Sequence, residues 1–569
     1  MKNKNLRFVF FKKKTAFCIQ KKYTFAKILY NQIMSKKIYI QDWLLLKPYK
    51  KQSATDSYYL KLSNDVKTML MLGKELFDKV NMNEDDINLL ACFLTSYFED
   101  LASETNIWNT FVRKHKQLYQ KHLPFFDLED YCEEEINVED ITFLIWYFVN
   151  TLQNQTLIFP YNSVFRIMAD MIMVVFEERW EYAPKNEHLL SFYQIDANET
   201  NFYVVRKFID RILFDTYLFY SDTKMQLVEG IYEIKEGVED EDKIPAMLNE
   251  NRDNLTHNAC TQLLALTGKE WAAEILGSTH PLYNDILSIS KKASGWFFYK
   301  GQDETDVFLE HIASSMKFNM TKKSYDHSAN LKTDDLLYIG IVKWKDEWWF
   351  SGIQCQTPFN PDLILDEKNS IESRSKVSFL YQQSDKIEEM LGEQLASFLK
   401  FNKGSQIAFM PSSKLEDFMQ KYIEFHNKSL KLSKKEIEES EKRQRKDGFF
   451  GGEKPLSFDL TETGKTAIVF FNPKGGCEIL FDIHSAFPLP NNPYFKEEQS
   501  KNHLMDLLAG ETASTELVLF CIDNCKSKIP FFNQETGKRL LEDMDFMLRF
   551  WKSENYFRTP SITLTGTMD

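Results

Sequence analysis

The sequence predicts an α+β protein of several domains: a helical N-terminal domain, a small SH3/OB-like β-barrel, a helical connector and an α+β C-terminal domain. Three observations lead there. Apolar residues recur at the helical period from Met34 to about Ser290. Between Ser294 and Gln356 they recur in steps of two, the period of strands. The chain has 569 residues with 82 aromatics, more than one core of ordinary domain size would take. The expected boundaries are 34–290 for the helical domain, 291–360 for the barrel, 361–448 for the connector and 449–569 for the last domain.

In chain order, Asn83 can cap a helix whose stripe is Ile87, Leu90, Leu94, Phe98 and Leu101. Asn137 can cap the next, with Asp140 placed where the helix dipole favours negative charge. Residues 141–149 are apolar on every side, so that helix belongs in the centre of a bundle. Residues 164–180 and 203–220 predict two more, and Trp271 opens a segment stopped by Gly277 and Pro281. The strand-like part alternates at Trp296/Phe298, Val307/Leu309 and Phe318/Met320. Leu337, Ile339 and Ile341 then line one face, with Tyr338, Val342 and Trp344 on the other. Lys345-Asp346-Glu347 can turn a hairpin, and about five short strands in some sixty residues make a small barrel. Leu415, Met419, Tyr422 and Ile423 mark a helix in the connector, with Ser413 and Glu416 spaced as a capping box. The charged stretch KKEIEESEKRQRKDG reads as a solvated helix running into a linker, and Phe449-Phe450-Gly451-Gly452 as a boundary. A hairpin at 467–471 and 478–483 and helices near 500–509, 514–526 and 537–552 complete the chain.

Formal charge is −13, unevenly placed: residues 1–33 hold nine Lys/Arg and no Asp/Glu, leaving a net of −22 for the rest. That acidity argues against coating nucleic acid through a general positive field. Residues 1–33 are expected to be an extension ahead of a fold that begins at Met34, without the apolar region of a signal peptide. The longest apolar runs, 141–152 and 167–176, are too short to span a membrane. Eight scattered cysteines with no C-x-x-C pair fit a reducing, cytoplasmic compartment.

Common chemical signatures fail on inspection. Gly464-Lys465-Thr466 lacks the first glycine of a phosphate loop, since Asp459 stands there, and a strand follows where a helix is needed. The histidines form no metal-binding spacing, and the acidic residues of 127–140 lack the order and central glycine of a calcium loop. No metal or cofactor is expected. Cys521 and Cys525, four apart, with Asp523 between them and His484 and His503 upstream, are the candidates for nucleophilic catalysis. Two buried thiols on an apolar helix explain the same letters. The better candidate is a ligand-binding surface on the barrel: Lys343, Trp344, Lys345, Trp348 and Trp349 set cations beside large aromatic faces. By alternation only one of Trp348 and Trp349 points inward, so the other faces solvent, as a binding surface needs, or another domain of this chain.

The stretches KIYIQDWLLLKPYKKQSATDSYYLKLSNDV, CFLTSYFEDLASETNIWNTF, LLYIGIVKWKDEWWFSGI, SAFPLPNNPYF and LVLFCIDNCKSKIPFF resemble a conserved bacterial protein family of unknown function, over about residues 34–569. The resemblance implies a bacterial cytoplasmic protein and brings no catalytic residues with it. The expected function is therefore non-catalytic: recognition of a protein or single-stranded nucleic acid by the barrel and flanking helices, with no membrane partner. The alternatives are an enzyme with an inter-domain site of carboxylates and His/Cys, and a structural member of a larger assembly. The oligomeric state is not legible in the sequence.

Overall fold

A computed structural model describes residues 37–79, 82–128, 130–152, 158–324, 331–370, 384–429 and 466–556, with isolated positions between 371 and 465. The extension 1–33, the charged stretch after 432, the expected boundary at 449–452 and most of the Gly-Lys-Thr motif lie outside these residues. The described residues form two units. One runs to Gly237 and resumes over 259–287; the other joins 238–258 to the residues from Ser288 onward.

The first unit is helical because its sequence caps and stripes its helices. Helix α1 is Asp56–Met71, and α2, Glu84–Ser103, starts where Asn83 accepts from the amides of Asp85 and Asp86, as expected. Helices α3 (Ile107–Tyr119), α4 (Val138–Leu152), α5 (Ser163–Trp180), α6 (Phe202–Asp215) and α7 (Met225–Gly237) follow. Residues 140–149 of α4 are all buried, which is the central position its unbroken apolar run requires. Helix α8, Ile244–Asn258, belongs with the second unit. Helix α9, Gly268–Leu276, closes at Gly277, whose φ of +84° suits a residue without Cβ.

Polar groups are built into this helical core. The Lys47 ammonium lies 3.7 Å from the Trp43 ring centroid, donates to Ser96 Oγ at 3.0 Å and pairs with the buried Glu99 carboxylate. Asn186 Nδ2 donates to Glu99 Oε1 at 2.8 Å, and burial still pushes the Glu99 carboxyl up. Asp140 accepts from Tyr97 and Tyr131 at 2.7 and 2.8 Å.

In the second unit β1 (Ala293–Gln302), β2 (Asp306–His311), β3 (Lys317–Thr321), β4 (Leu336–Trp344) and β5 (Glu347–Thr357) close a barrel in the order β1-β2-β3-β5-β4. All pairs are antiparallel except β3 with β5. This is the small barrel expected, closed so that no strand edge is left open. Phe297, Val307, Leu309, Phe318, Met320, Leu337, Ile339 and Ile341 fill it. One strand corrects the sequence reading: β1 turns Phe297 and Tyr299 inward and Trp296 and Phe298 outward. Trp296-Phe297-Phe298-Tyr299 is aromatic throughout, so the letters carry no contrast from which to read its parity. Lys345, at φ +52°, and Asp346 make the β4–β5 turn.

Beyond the barrel, α10 (Ser384–Phe401), β6 (Ile407–Pro411) and α11 (Leu415–Ser429) precede β7 (Thr466–Asn472) and β8 (Gly476–Phe481). The three strands form one antiparallel sheet in the order β6-β7-β8. The expected hairpin thus gains a strand from within the stretch read as helical connector. Five residues, IAFMP, are too few to display a period between two helices. The buried stripe Leu415, Met419, Tyr422 and Ile423 packs against this sheet. Helices α12 (Glu497–Ala509), α13 (Thr515–Cys525) and α14 (Met544–Trp551) complete the unit. No described helix is long and apolar enough to cross a membrane.

Candidate functional site: two faces of the barrel

Strand alternation places the five expected binding residues, but not as an open platform. Trp348 points into the barrel, 8 % exposed, with Phe318 edge-on at 4.9 Å. Trp349 and Trp344 point the other way, and they are only 2 % and 1 % exposed. Lys345 is exposed, 5.3 Å from the Trp344 ring centroid; Lys343 is half-buried, its ammonium 4.0 Å from Asp346. Of the two surroundings open to the outward ring, solvent or other parts of the chain, the second is the one found. Period two separates two faces but does not say which face other parts of the chain cover.

An accessible aromatic stripe does exist, one strand away. Trp296 and Tyr338 are register partners on β1 and β4, half-buried on the outside, with ring centroids 5.6 Å apart and edge to face. Phe298 continues the row, with the Lys300 ammonium 4.7 Å above its ring. Phe308 is half-buried on β2, and the exposed Cys355 is the register partner of Tyr338 on β5. Lys300 is held by Asp334 at 2.8 Å and Glu310 at 3.9 Å. The signal for this face was the run Gly295–Lys300 itself, misread by one residue.

The second face is polar. In β5, Phe350 pairs with Ile341 and Gln354 with Ile339, so Ser351, Gly352 and Ile353 bulge opposite Gly340 alone. The ladder groups freed there go to α8. Ile353 N–H donates to Glu250 Oε2 at 3.1 Å, and Asn249 Nδ2 donates to the Gly352 carbonyl at 2.7 Å. Ser351 donates to Asp253 Oδ1 at 2.6 Å, with His257 Nε2 3.1 Å from the same hydroxyl. The Lys292 ammonium, its side chain 2 % exposed, lies 2.7 Å from both Glu250 and Asp253 and donates to Asn254 Oδ1 at 2.9 Å. Serine, histidine and aspartate meet here without the order of a hydrolytic triad. Ser351 gives its proton to Asp253, and Asp253 lies 3.7 Å from the same histidine nitrogen that faces the hydroxyl. Ser351 is also wholly buried.

The candidates for nucleophilic catalysis converge only in part. His484 and His503 stack edge to face at 5.0 Å, and Cys521 donates to the Ala486 carbonyl in the same turn at 3.3 Å. Asp523 is exposed while both thiols are buried, so it stands apart from them. His503 Nδ1 accepts from the Ser485 amide, and burial, with His484 beside it, pushes its pKa down to about 4. The Cys521 thiol is pushed well up by its hydrogen bond with Cys525 and by burial. The same hydrogen bond, followed by the Lys528 charge, pulls the Cys525 thiol down against its burial, so the two thiols are driven apart. A cleft of about 450 Å³ in this region is lined by Pro488, Phe495, Ile529, Phe531, Lys501 and Lys528 among others, and by none of these candidates. Among the described residues no three His, Cys, Asp or Glu side chains are grouped to hold a metal.

Neither a curated protein nor a solved structure is matched by the chain. A family model does match one segment, which takes in the helices, α8 and the first two barrel strands and stops before β3. Residues 37–315 match the model described as "Protein of unknown function (DUF3843)", so this segment is similar to a family of unknown function.

Proposed function

We propose that the chain is a non-catalytic binding protein whose barrel docks a protein partner on the outer face of Trp296, Phe298 and Tyr338. The observation that carries this reading is three large rings set side by side and half open on a closed barrel. Aromatic residues in such places supply much of the binding energy at interfaces. The protein reading is favoured over single-stranded nucleic acid by charge. Residues 291–360 hold nine lysines, no arginine and nine acidic groups, and Lys300 is already held by two carboxylates. A strand-binding groove relies on a cationic track beside its stacking rings.

The test uses Cys355 as an anchor for a photo-crosslinker, since its thiol is exposed beside Tyr338. A captured protein is purified and titrated against the full chain. Trp296→Ala and Tyr338→Ala should each weaken its binding by tenfold or more, an effect of roughly 2 kcal/mol typical of aromatic anchors. Unchanged affinity in both variants would sink the reading. So would tight, salt-dependent binding of a dT oligonucleotide that quenches tryptophan fluorescence.

A further inference from the structure

We propose that α8 is an intramolecular pseudo-ligand: a displaceable strap whose carboxylates fill a cradle on the barrel that also accepts an acidic helix of a partner protein. The inference is independent of the aromatic face.

The cradle is built around the β5 bulge. It offers one backbone N–H, from Ile353, one carbonyl, from Gly352, the Ser351 hydroxyl and the buried Lys292 ammonium. Glycine lines it for want of space. A Cβ on Gly352, at φ +93°, would fall 2.2 Å from Glu250 Oε2 and 2.7 Å from Lys292 Nζ. One on Gly340 would fall 2.5 Å from Lys292 Cε and 2.3 Å from the Ser351 carbonyl. The shape therefore fits a carboxylate pressed against strand backbone.

That chemistry holds the occupant, beside three half-buried apolar side chains, Ile244, Leu248 and Leu255. Glu250, Asp253 and His257 lie at i, i+3 and i+7, one face of the helix, with Asn249 one turn before Asp253. Asp253 and Thr256 are the buried residues of α8, and Met247 stands 39 % exposed. A strap docked on apolar surface would lose the hydrophobic term on leaving. Here release returns Lys292 and both carboxylates to water together, and the desolvation recovered offsets much of the attraction lost. Exchange for another helix with carboxylates three residues apart is thus close to balanced. Residues 239–243, EDEDK, precede α8 exposed to solvent, so its N-terminal tether can move without unpacking a core, while its C-terminal end is anchored at the buried Ala259 and Cys260 and acts as the hinge.

The experiment is hydrogen exchange by mass spectrometry on the full chain, joined to a binding assay with a fluorescent peptide of residues 238–258. In the native chain the amides of α8 should exchange about tenfold or more ahead of β1 and β4, as a separately opening segment does. Glu250→Gln with Asp253→Asn should speed α8 further and leave β1 and β4 protected. The peptide should bind this variant at least about tenfold more tightly than the native chain, because its own strap competes there. Adding Lys292→Ala should abolish that binding. Exchange of α8 in step with β4 and β5 in the native chain overturns the proposal, whether or not the variant folds. Failure of the peptide to bind a folded variant overturns it too, as does release of the strap by a dT oligonucleotide, which would make the cradle a phosphate site.

Discussion

Replacing Gly352 with alanine should loosen α8 and β5 by more than its backbone conformation alone requires. At φ +93° the substitution carries a strain of roughly 1–2 kcal/mol for any L side chain. The new methyl would also lie 2.2 Å from Glu250 Oε2, which must swing away and leave Ile353 N–H buried without its acceptor. An unsatisfied donor of that kind costs roughly 1–3 kcal/mol, so the whole effect should be roughly 2–5 kcal/mol. Gly404 supplies the control. Its φ is +87° and nothing lies within 4 Å of an added Cβ, so Gly404→Ala should show the strain of roughly 1–2 kcal/mol alone. A double-mutant cycle isolates the rest: in a Glu250→Ala background the Gly352→Ala penalty should shrink by about 1–2 kcal/mol. Native-state hydrogen exchange of peptides covering 244–258 and 347–357 reads these local free energies without requiring the whole chain to unfold in one step. Equal penalties at Gly352 and Gly404, or a cycle that closes to zero, would refute a cradle fitted to a carboxylate.

Trp348→Ala should open a cavity in the barrel and destabilise it by roughly 3–5 kcal/mol, while Trp296→Ala on the half-open face should stay within about 1 kcal/mol, both read by exchange of β2 and β4. Asp140, pushed up to about 7 by burial against an ordinary 3.8, binds its proton more readily folded than unfolded. Its contribution is therefore greatest at low pH and is lost as pH rises from about 4 to 7, by up to ~4 kcal/mol. His115, pushed down to about 4 by burial, works in the opposite sense up to its unfolded value of 6.5. The difference between the native chain and Asp140→Asn, measured as α4 exchange between pH 5 and 8, should isolate the aspartate; parallel pH profiles would discount it. Cys132 and Cys355 should react with a maleimide in the folded chain, and Cys92, Cys260, Cys477, Cys521 and Cys525 should be protected. Rapid alkylation of Cys521 or Cys525 would revive a catalytic thiol.

What the sequence disclosed was whatever a short window can hold. Asn83, Gly277 and the turn at Lys345-Asp346 sit within a few residues of the structure they determine, and each lies where expected. The inward face of β3 was legible because apolar and polar letters alternate in Lys317-Phe318-Asn319-Met320-Thr321. The parity of β1 was not, because four aromatics in a row fit either face. The burial of Trp344 and Trp349 depends on what lies over them, which no local pattern encodes. The cradle was beyond reach for the same reason. Glu250 and Asp253 come from a helix, Lys292 from the approach to β1 and Ser351 from a bulge about a hundred residues after the helix.

Two buried ion pairs in this chain look alike as distances and differ as physics. Lys47 and Glu99 are both sealed within the helical core, and Asn186, Ser96 and the Trp43 ring remain around them whatever one side chain does. Removing Lys47 would strand a carboxylate where water does not reach, which is the expensive way to break a buried pair. Lys292 faces carboxylates carried on a helix whose fully buried residues are polar, Asp253 and Thr256, so the same loss could be met by the helix leaving. The first arrangement ties Lys47, Glu99, Ser96 and Asn186 together within the helical core. The second couples a charge pair to a movable element, and a movable element held by charge is one that another charged helix can replace.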